Sequence, residues 1–216
     1  MQKIKSSEVI LKRLRTANLH QIDNRFEDVD LEKDIYTPFD DDAEFVFARE
    51  VQNNGGKFVF CADEQELTAN LLALAKERNW TSFFTKDKTI QSVLNKHKIA
   101  FSESEEDFIK TGHTLTSCEF FVARLGSVLI SSKQQSGRRA NFLPKTHIVI
   151  GHLEQIVPTV KDALMQLHNK YEGRFPSMTT LITGPSRTAD IEKTLVMGMH
   201  GPQELIIFML AEPLNK

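Results

Sequence analysis

The stretch of this sequence best suited to chemistry is Leu181-Ile182-Thr183-Gly184-Pro185-Ser186-Arg187-Thr188-Ala189-Asp190-Ile191-Glu192. An apolar run stops at a Gly-Pro corner and hydroxyl residues follow. Read as strand, corner and helix start, it is an anion receptor. Gly184 lets backbone approach a ligand, and the first N–H groups of a helix lack internal partners. Ser186 and Thr188 add hydroxyl donors, while Arg187 can hold a phosphate or carboxylate with two hydrogen bonds. Asp190 either counters Arg187 or receives a substrate hydroxyl. The same residues also fit an ordinary capped helix entry, where Ser and Thr are routine. The ligand reading gains weight because ligands of open α/β sheets sit outside the carboxyl ends of strands.

Two further stretches carry usable groups. In Gly198-Met199-His200-Gly201-Pro202 a histidine between glycines is accessible and able to act as acid, base or donor near neutral pH. A loop histidine without a task is the plainer reading. In Ser136-Gly137-Arg138-Arg139-Ala140-Asn141-Phe142-Leu143-Pro144 an arginine pair sits in a turn, suited to an anion or simply to solvent. No dinucleotide glycine loop, Walker loop or Gly-x-Ser-x-Gly elbow occurs. The histidines show no metal-ligand spacing.

The elements that must position these residues alternate regularly from residue 43 onward. The pattern predicts a helix over 43–53 closed by Asn54-Gly55-Gly56, then a strand over 57–61. Asp63 caps the next helix, with Glu66 completing a capping box and Leu67, Leu71 and Leu74 facing inward. Strands are predicted at 81–85, 99–101, 113–118, 127–132, 146–151, 179–183 and 205–210. A helix is predicted over 90–96, another beginning near Pro158, and a further short one between Pro185 and Gly198. Short helices between buried strands mean crossover units and a mainly parallel sheet. Ahead of this lie a helix over 7–17 and the acidic run 23–44, expected as a solvated arm. The division expected is therefore residues 1–42 as helix and acidic arm, and 43–216 as one α/β domain.

The chain has 216 residues, 40% of them hydrophobic and 26% charged, with a formal charge of −2. That balance gives no overall attraction for nucleic acid or an anionic membrane. No window has the apolar length of a membrane span, and the first residues do not form a signal peptide. The two cysteines, Cys61 and Cys118, are far apart and supply no cluster motif, so no cofactor is expected in this chain. Reduced thiols and a cytoplasmic location are the expectation.

Taken together, the run Thr183–Glu192, the run Gly198–Pro202 and Asn141-Phe142-Leu143-Pro144-Lys145-Thr146-His147 resemble the signature of the LUD-domain family. The similarity covers roughly residues 45–211. It implies a three-layer α/β sandwich like that of phosphosugar isomerases and coenzyme A transferases. It also implies a place in a three-protein system oxidising L-lactate to pyruvate, with the iron–sulfur clusters and cysteine-rich domains in the partner subunits. Site residues implied are Gly184, Pro185, Ser186, Arg187, Thr188 and Gly201 for a small anionic ligand, with His200 and Asp190 in catalytic roles. Where the family reads alanine–glutamate–threonine–glycine–threonine, this chain has Ala123-Arg124-Leu125-Gly126-Ser127. Gly126 and Ser127 survive as ligand-binding candidates, but Arg124 can be neither base nor nucleophile. Two other functions therefore stay open: a non-catalytic metabolite-binding or assembly module, and an independent enzyme acting on a phosphorylated or folate-type ligand.

Overall fold

The structure, a computed structural model, describes residues 6–18, 36–104, 106, 111–191 and 194–214. The acidic run at 23–35 lies outside the described residues. The chain forms two compact units, Met1–Pro38 and Phe39–Lys216. The first contributes one helix, α1 (Ser6–Asn18). No helix among the described residues is long and apolar enough to cross a membrane.

The second unit is built on a six-stranded sheet whose pairings are all parallel, ordered β1-β12-β7-β4-β2-β3. Its strands are β1 (Lys57–Cys61), β2 (Phe83–Phe84), β3 (Phe101–Ser102), β4 (His113–Thr116), β7 (Thr146–His152) and β12 (Glu204–Leu210). β12 shows why the sequence reads as it does. Ile206, Phe208 and Leu210 face one core, whereas Leu205, Ile207 and Met209 face the other. A strand covered on both faces has no polar side, which explains the unbroken apolar run.

Helices α3 (Glu64–Arg78) and α4 (Lys88–Lys96) cover the first face with Leu67, Leu71, Ile90 and Leu94. Both start as the local chemistry dictates. Asp63 accepts from the Glu66 N–H at 2.9 Å, and Asp87 from those of Thr89 and Ile90 at 3.0 and 3.3 Å. The other face is covered by Phe47 and Val51 of α2 (Ala43–Asn53) and by a second, four-stranded sheet. That sheet is ordered β8-β5-β6-β9, from β5 (Phe120–Val122), β6 (Ser127–Ser131), β8 (Ile156–Val157) and β9 (Thr179–Thr183). It is largely antiparallel, and its outer side carries a third core around Val122, Leu129 and Leu167. The helix over that core is α6 (Val160–Lys170), and Thr159 caps it through the Asp162 N–H; a shorter helix, α5 (Arg139–Phe142), lies over β4 and β7. The fold class is α/β with a mostly parallel central sheet flanked by helices, as the alternation required.

One expectation is overturned. The stretch after Pro185 is not a helix but a strand, β10 (Arg187–Ile191), paired antiparallel with β11 (Thr194–Met197). Thr188, Ile191, Thr194 and Val196 are β-branched, and that run favours extended backbone over the helix that Ser186 would have capped.

Candidate functional site

The residues singled out in the sequence gather near the amino ends of β12, β7 and β1. β9 delivers Thr183, whose hydroxyl meets that of Ser127 at 2.7 Å. Gly184 then turns the chain with φ +68°. The Ser186 N–H donates to the Pro202 carbonyl at 2.7 Å, and the Gly198 N–H donates to the Ser186 carbonyl at 2.9 Å. The Gly198–Pro202 loop therefore folds back onto Ser186 through backbone bonds on both sides. A side-chain carbon at Gly201 would lie 3.1 Å from the Ser186 Cβ, so the glycine admits this approach. The loop is also tied to the stretch before β7, since the Gln203 N–H donates to the Lys145 carbonyl at 2.8 Å.

The end of α2 closes the corner. The Asn54 side-chain amide donates to the carbonyls of Glu50 at 2.8 Å and Leu125 at 2.9 Å. A Cβ at Gly184 would lie 2.3 Å from the Asn54 carbonyl oxygen. The room at Gly184 thus goes to the protein's own backbone. Arg187 is exposed, and its guanidinium sits over Gly55, 2.7 Å from where a Cβ there would begin. Among the described residues nothing pairs with that guanidinium. Pro185 is buried, Thr188 half-buried in β10, and His200 exposed on the loop. Asp190 lies in β10, and its side chain is outside what is described.

Two supports of the anion reading change with the fold. Without a helix after Pro185 there are no free helix N–H groups at the corner, and the Ser186 N–H is already engaged. Moreover, β9 belongs to the antiparallel sheet and the corner borders the amino ends of the parallel strands, so the carboxyl-end rule does not apply to it. What the corner offers an anion is the Arg187 guanidinium and the Ser186 hydroxyl. Arg124, at the position where a carboxylate was expected, has its guanidinium 4.6 Å from the centre of the Phe39 ring.

The carboxyl ends hold a second constellation that the motif reading missed. Asp87, Thr89, Ser117, Gly151, His152, Gln155 and Lys170 line a cleft there, close to Leu210. Asp87 accepts the Ser117 hydroxyl at 2.5 Å. Behind it Glu119, only 2% exposed, accepts from Ser131 Oγ at 2.5 Å, Tyr171 OH at 2.7 Å and Lys170 Nζ at 2.7 Å. Burial, and then Glu119, push the Tyr171 phenol up to about 12, so it stays a donor at neutral pH. The signal in the sequence was an acid inside the apolar run Cys118-Glu119-Phe120-Phe121-Val122. Among the described residues no three His, Cys, Asp or Glu are grouped as a metal site requires.

Lys170→Met should leave Glu119 buried with two hydroxyl donors and no cation. Breaking a fully buried pair costs about 3–5 kcal/mol, and the half-exposed ammonium lowers the expectation here to about 2 kcal/mol. Urea denaturation at pH 7 measures it, and Lys170→Arg should recover most of the loss. An unchanged midpoint for Lys170→Met would show that Lys170 does not compensate Glu119.

A sequence model of the LUD domain matches residues 46–210. Lactate utilization protein C of Geobacillus kaustophilus is 39% identical over 93 residues, covering 42% of this chain and 39% of that protein. The protein of the same name from Geobacillus thermodenitrificans is 38% identical over 96 residues, covering 44% and 40%. That from Macrococcus caseolyticus is 39% identical over 90 residues, covering 41% and 39%. These matches span about two fifths of the relatives' own lengths. The crystal structure of a DUF162-family protein from Deinococcus radiodurans superposes with a TM-score of 0.57 at 18% identity, covering 78% of this chain and 96% of that one. Its likeness supports the fold. By the extent of the domain match, the chain belongs to the LUD-domain family.

Proposed function

We propose that this protein serves in L-lactate utilisation as a component that binds a small anionic ligand at the Gly184–Arg187 corner. The observation that carries this is the similarity to proteins named lactate utilization protein C. The convergence of three separate sequence runs on one corner supports a shared task for them. In this reading Arg187 pairs with the anion, Ser186 donates its hydroxyl, and Gly201 keeps the approach open. His200, exposed on the same loop, gives or takes a proton, and Asp190 assists. The redox chemistry then falls to partner subunits carrying iron–sulfur clusters.

A second reading is a binding and assembly module with no chemistry of its own. The placement of Arg124 against Phe39 favours it, because that position holds a cation stacked on a ring and no base.

The test is growth on L-lactate of a host strain lacking only this gene. Growth is expected to fail on L-lactate and continue on glucose, and wild-type complementation should restore it. Arg187→Ala should restore it poorly while melting within about 1 °C of wild type, since an exposed surface side chain contributes little stability. Normal growth of the deletion strain would refute the lactate reading. Full rescue by Arg187→Ala would remove the anion from this corner.

A further inference from the structure

The winding of the parallel sheet reverses between β2 and β4. These strands are neighbours, Phe84 lying in register with Thr114. From the carboxyl end of β2 the chain enters α4, whose Ile90 and Leu94 pack on the first face. From that of β4 it runs through Cys118 into β5, whose Phe121 packs on the second face. Neighbouring strands whose connections leave on opposite faces open a crevice at their carboxyl ends, and open α/β sheets bind ligands in that crevice. Here it holds the cleft lined by Asp87, Thr89, Ser117 and Lys170, about 350 Å³ in volume and within the range of small-molecule pockets. The Gly184–Arg187 corner, by contrast, borders the amino ends of the parallel strands.

One short hydrogen bond bridges the crevice. The Ser117 hydroxyl donates to Asp87 Oδ2 at 2.5 Å, the length of a charge-assisted bond. Asp87 Oδ1 is taken by the Thr89 and Ile90 N–H groups, which leaves Oδ2 room for one more donor. The Ser117 proton is committed to Asp87, so the Ser117 oxygen only accepts. Among the described residues its one donor is Gln134 Nε2, at 3.5 Å. Two acceptors therefore stand side by side at the cleft. They are held from behind: the Gln134 side-chain carbonyl takes the Ser131 N–H at 2.9 Å, and Ser131 Oγ donates to Glu119, the partner of Lys170.

We propose that this cleft is a second ligand site, in which Asp87 and Ser117 receive the two hydroxyls of a vicinal diol on a neutral ligand. The lining selects that class. Acceptors 2.5 Å apart match donors on neighbouring atoms, and hydroxyls on adjacent carbons present such a pair. An anion would meet the Asp87 carboxylate. An amine would meet the Lys170 ammonium, which lines the same cleft. Glu119 takes one N–H of that ammonium at 2.7 Å, and the other two can donate to oxygens of the ligand. The opposite wall is apolar, formed by Ile90, Ile150 and Leu210, and suits a flat ring better than further hydroxyls. A sugar and a nucleoside both carry the diol, but only the nucleoside uses both walls.

Titrations of the whole chain with adenosine, 2′-deoxyadenosine and D-ribose test this, read by calorimetry and by the backbone amide resonances of Thr89, Ser117 and Gly151 in NMR. Adenosine and D-ribose carry the vicinal diol, and 2′-deoxyadenosine lacks it. Adenosine is expected to move those resonances and to bind about tenfold more tightly than 2′-deoxyadenosine, the scale of one buried hydrogen bond. Ser117→Ala should abolish the difference between the two nucleosides. D-Ribose should move the same resonances but bind more weakly than adenosine; binding as tightly would keep the diol site and make a free sugar its source. Equal affinity of wild type for adenosine and 2′-deoxyadenosine would overturn the diol. Failure of both adenosine and D-ribose to move the resonances would overturn the site and leave the cleft to water. Should Ser117→Ala fail to fold, the wild-type comparison of the three compounds decides alone.

Discussion

Gly126→Ala is expected to destabilise the protein by about 3 kcal/mol, and Gly184→Ala by a similar amount. Two effects add. Both glycines have positive φ, +58° and +68°, where a Cβ costs about 1 kcal/mol. Each is also pressed against foreign backbone. A Cβ at Gly126 would stand 2.4 Å from the Glu50 carbonyl carbon and the Val51 nitrogen, and one at Gly184 2.3 Å from the Asn54 oxygen. Such a contact with main chain is relieved only by moving α2, and overpacking of that kind costs about 1–3 kcal/mol more. Gly137→Ala is the control, since its φ is +70° but nothing lies within 4 Å of the added carbon. It should lose about 1 kcal/mol. Urea midpoints of the three variants give the comparison. If Gly126→Ala lost no more than Gly137→Ala, the end of α2 would be soft, and the corner could not be held by backbone contact.

This prediction also revises the role of both residues. As a sequence, Gly184 after its strand reads as room for a ligand, and Gly126 is a ligand-binding candidate through the family resemblance. In the folded chain the room is filled by Glu50 and Asn54, so Gly126 and Gly184 serve the site by holding α2 against it. In the proposed function the ligand-facing share falls to Ser186, Arg187 and the Gly201 loop. The distinction was not visible in the motif, because close approach by protein and by ligand demand the same residue.

The parallel sheet was legible because its signals are local and mutually consistent. α2 and β1 fall at the residues that periodicity and the Asn54-Gly55-Gly56 stop define. The Asp63 cap on α3 is a hydrogen bond between residues three apart in sequence. The second sheet was harder. β5 has three residues and β8 two, too short for alternation to register. The hairpin β10–β11 was hidden by Ser186-Arg187-Thr188, where hydroxyls that cap helices are also good strand residues. The network around Glu119 assembles side chains more than fifty positions apart, and no local pattern announces it. In the sequence His147 is only the end of the run Asn141-Phe142-Leu143-Pro144-Lys145-Thr146-His147; its burial is a property of the sheet register.

Acid should unfold this protein earlier than its carboxylates alone require, and His147 should be the reason. The ring is fully buried and its ordinary value of 6.5 is lowered by burial to about 3. In the unfolded chain it takes up a proton near pH 6.5. Between pH 6.5 and pH 3 the unfolded state therefore carries one more proton than the folded state. Stability rises with pH in that window, and the contribution present above pH 6.5 is lost as pH falls towards 3. The slope is about 1.4 kcal/mol per pH unit, so the total over the window is roughly 5 kcal/mol, enough to consume much of a typical domain's stability. His147→Gln removes the titration while keeping a neutral hydrogen-bonding side chain opposite Thr116. Its cost at pH 7 is a fixed offset. The informative quantity is the difference between wild type and variant, which should shrink by about 1.4 kcal/mol for each unit below pH 6.5. Urea denaturation at half-unit steps from pH 7 to pH 4 measures that difference directly. Taking the difference cancels the acid limbs of His113, His152 and the carboxylates, which both chains share. A difference that stayed constant across those steps would mean that His147 is protonated in the folded chain at mild acidity. The ring would then be a buried cation beneath α5.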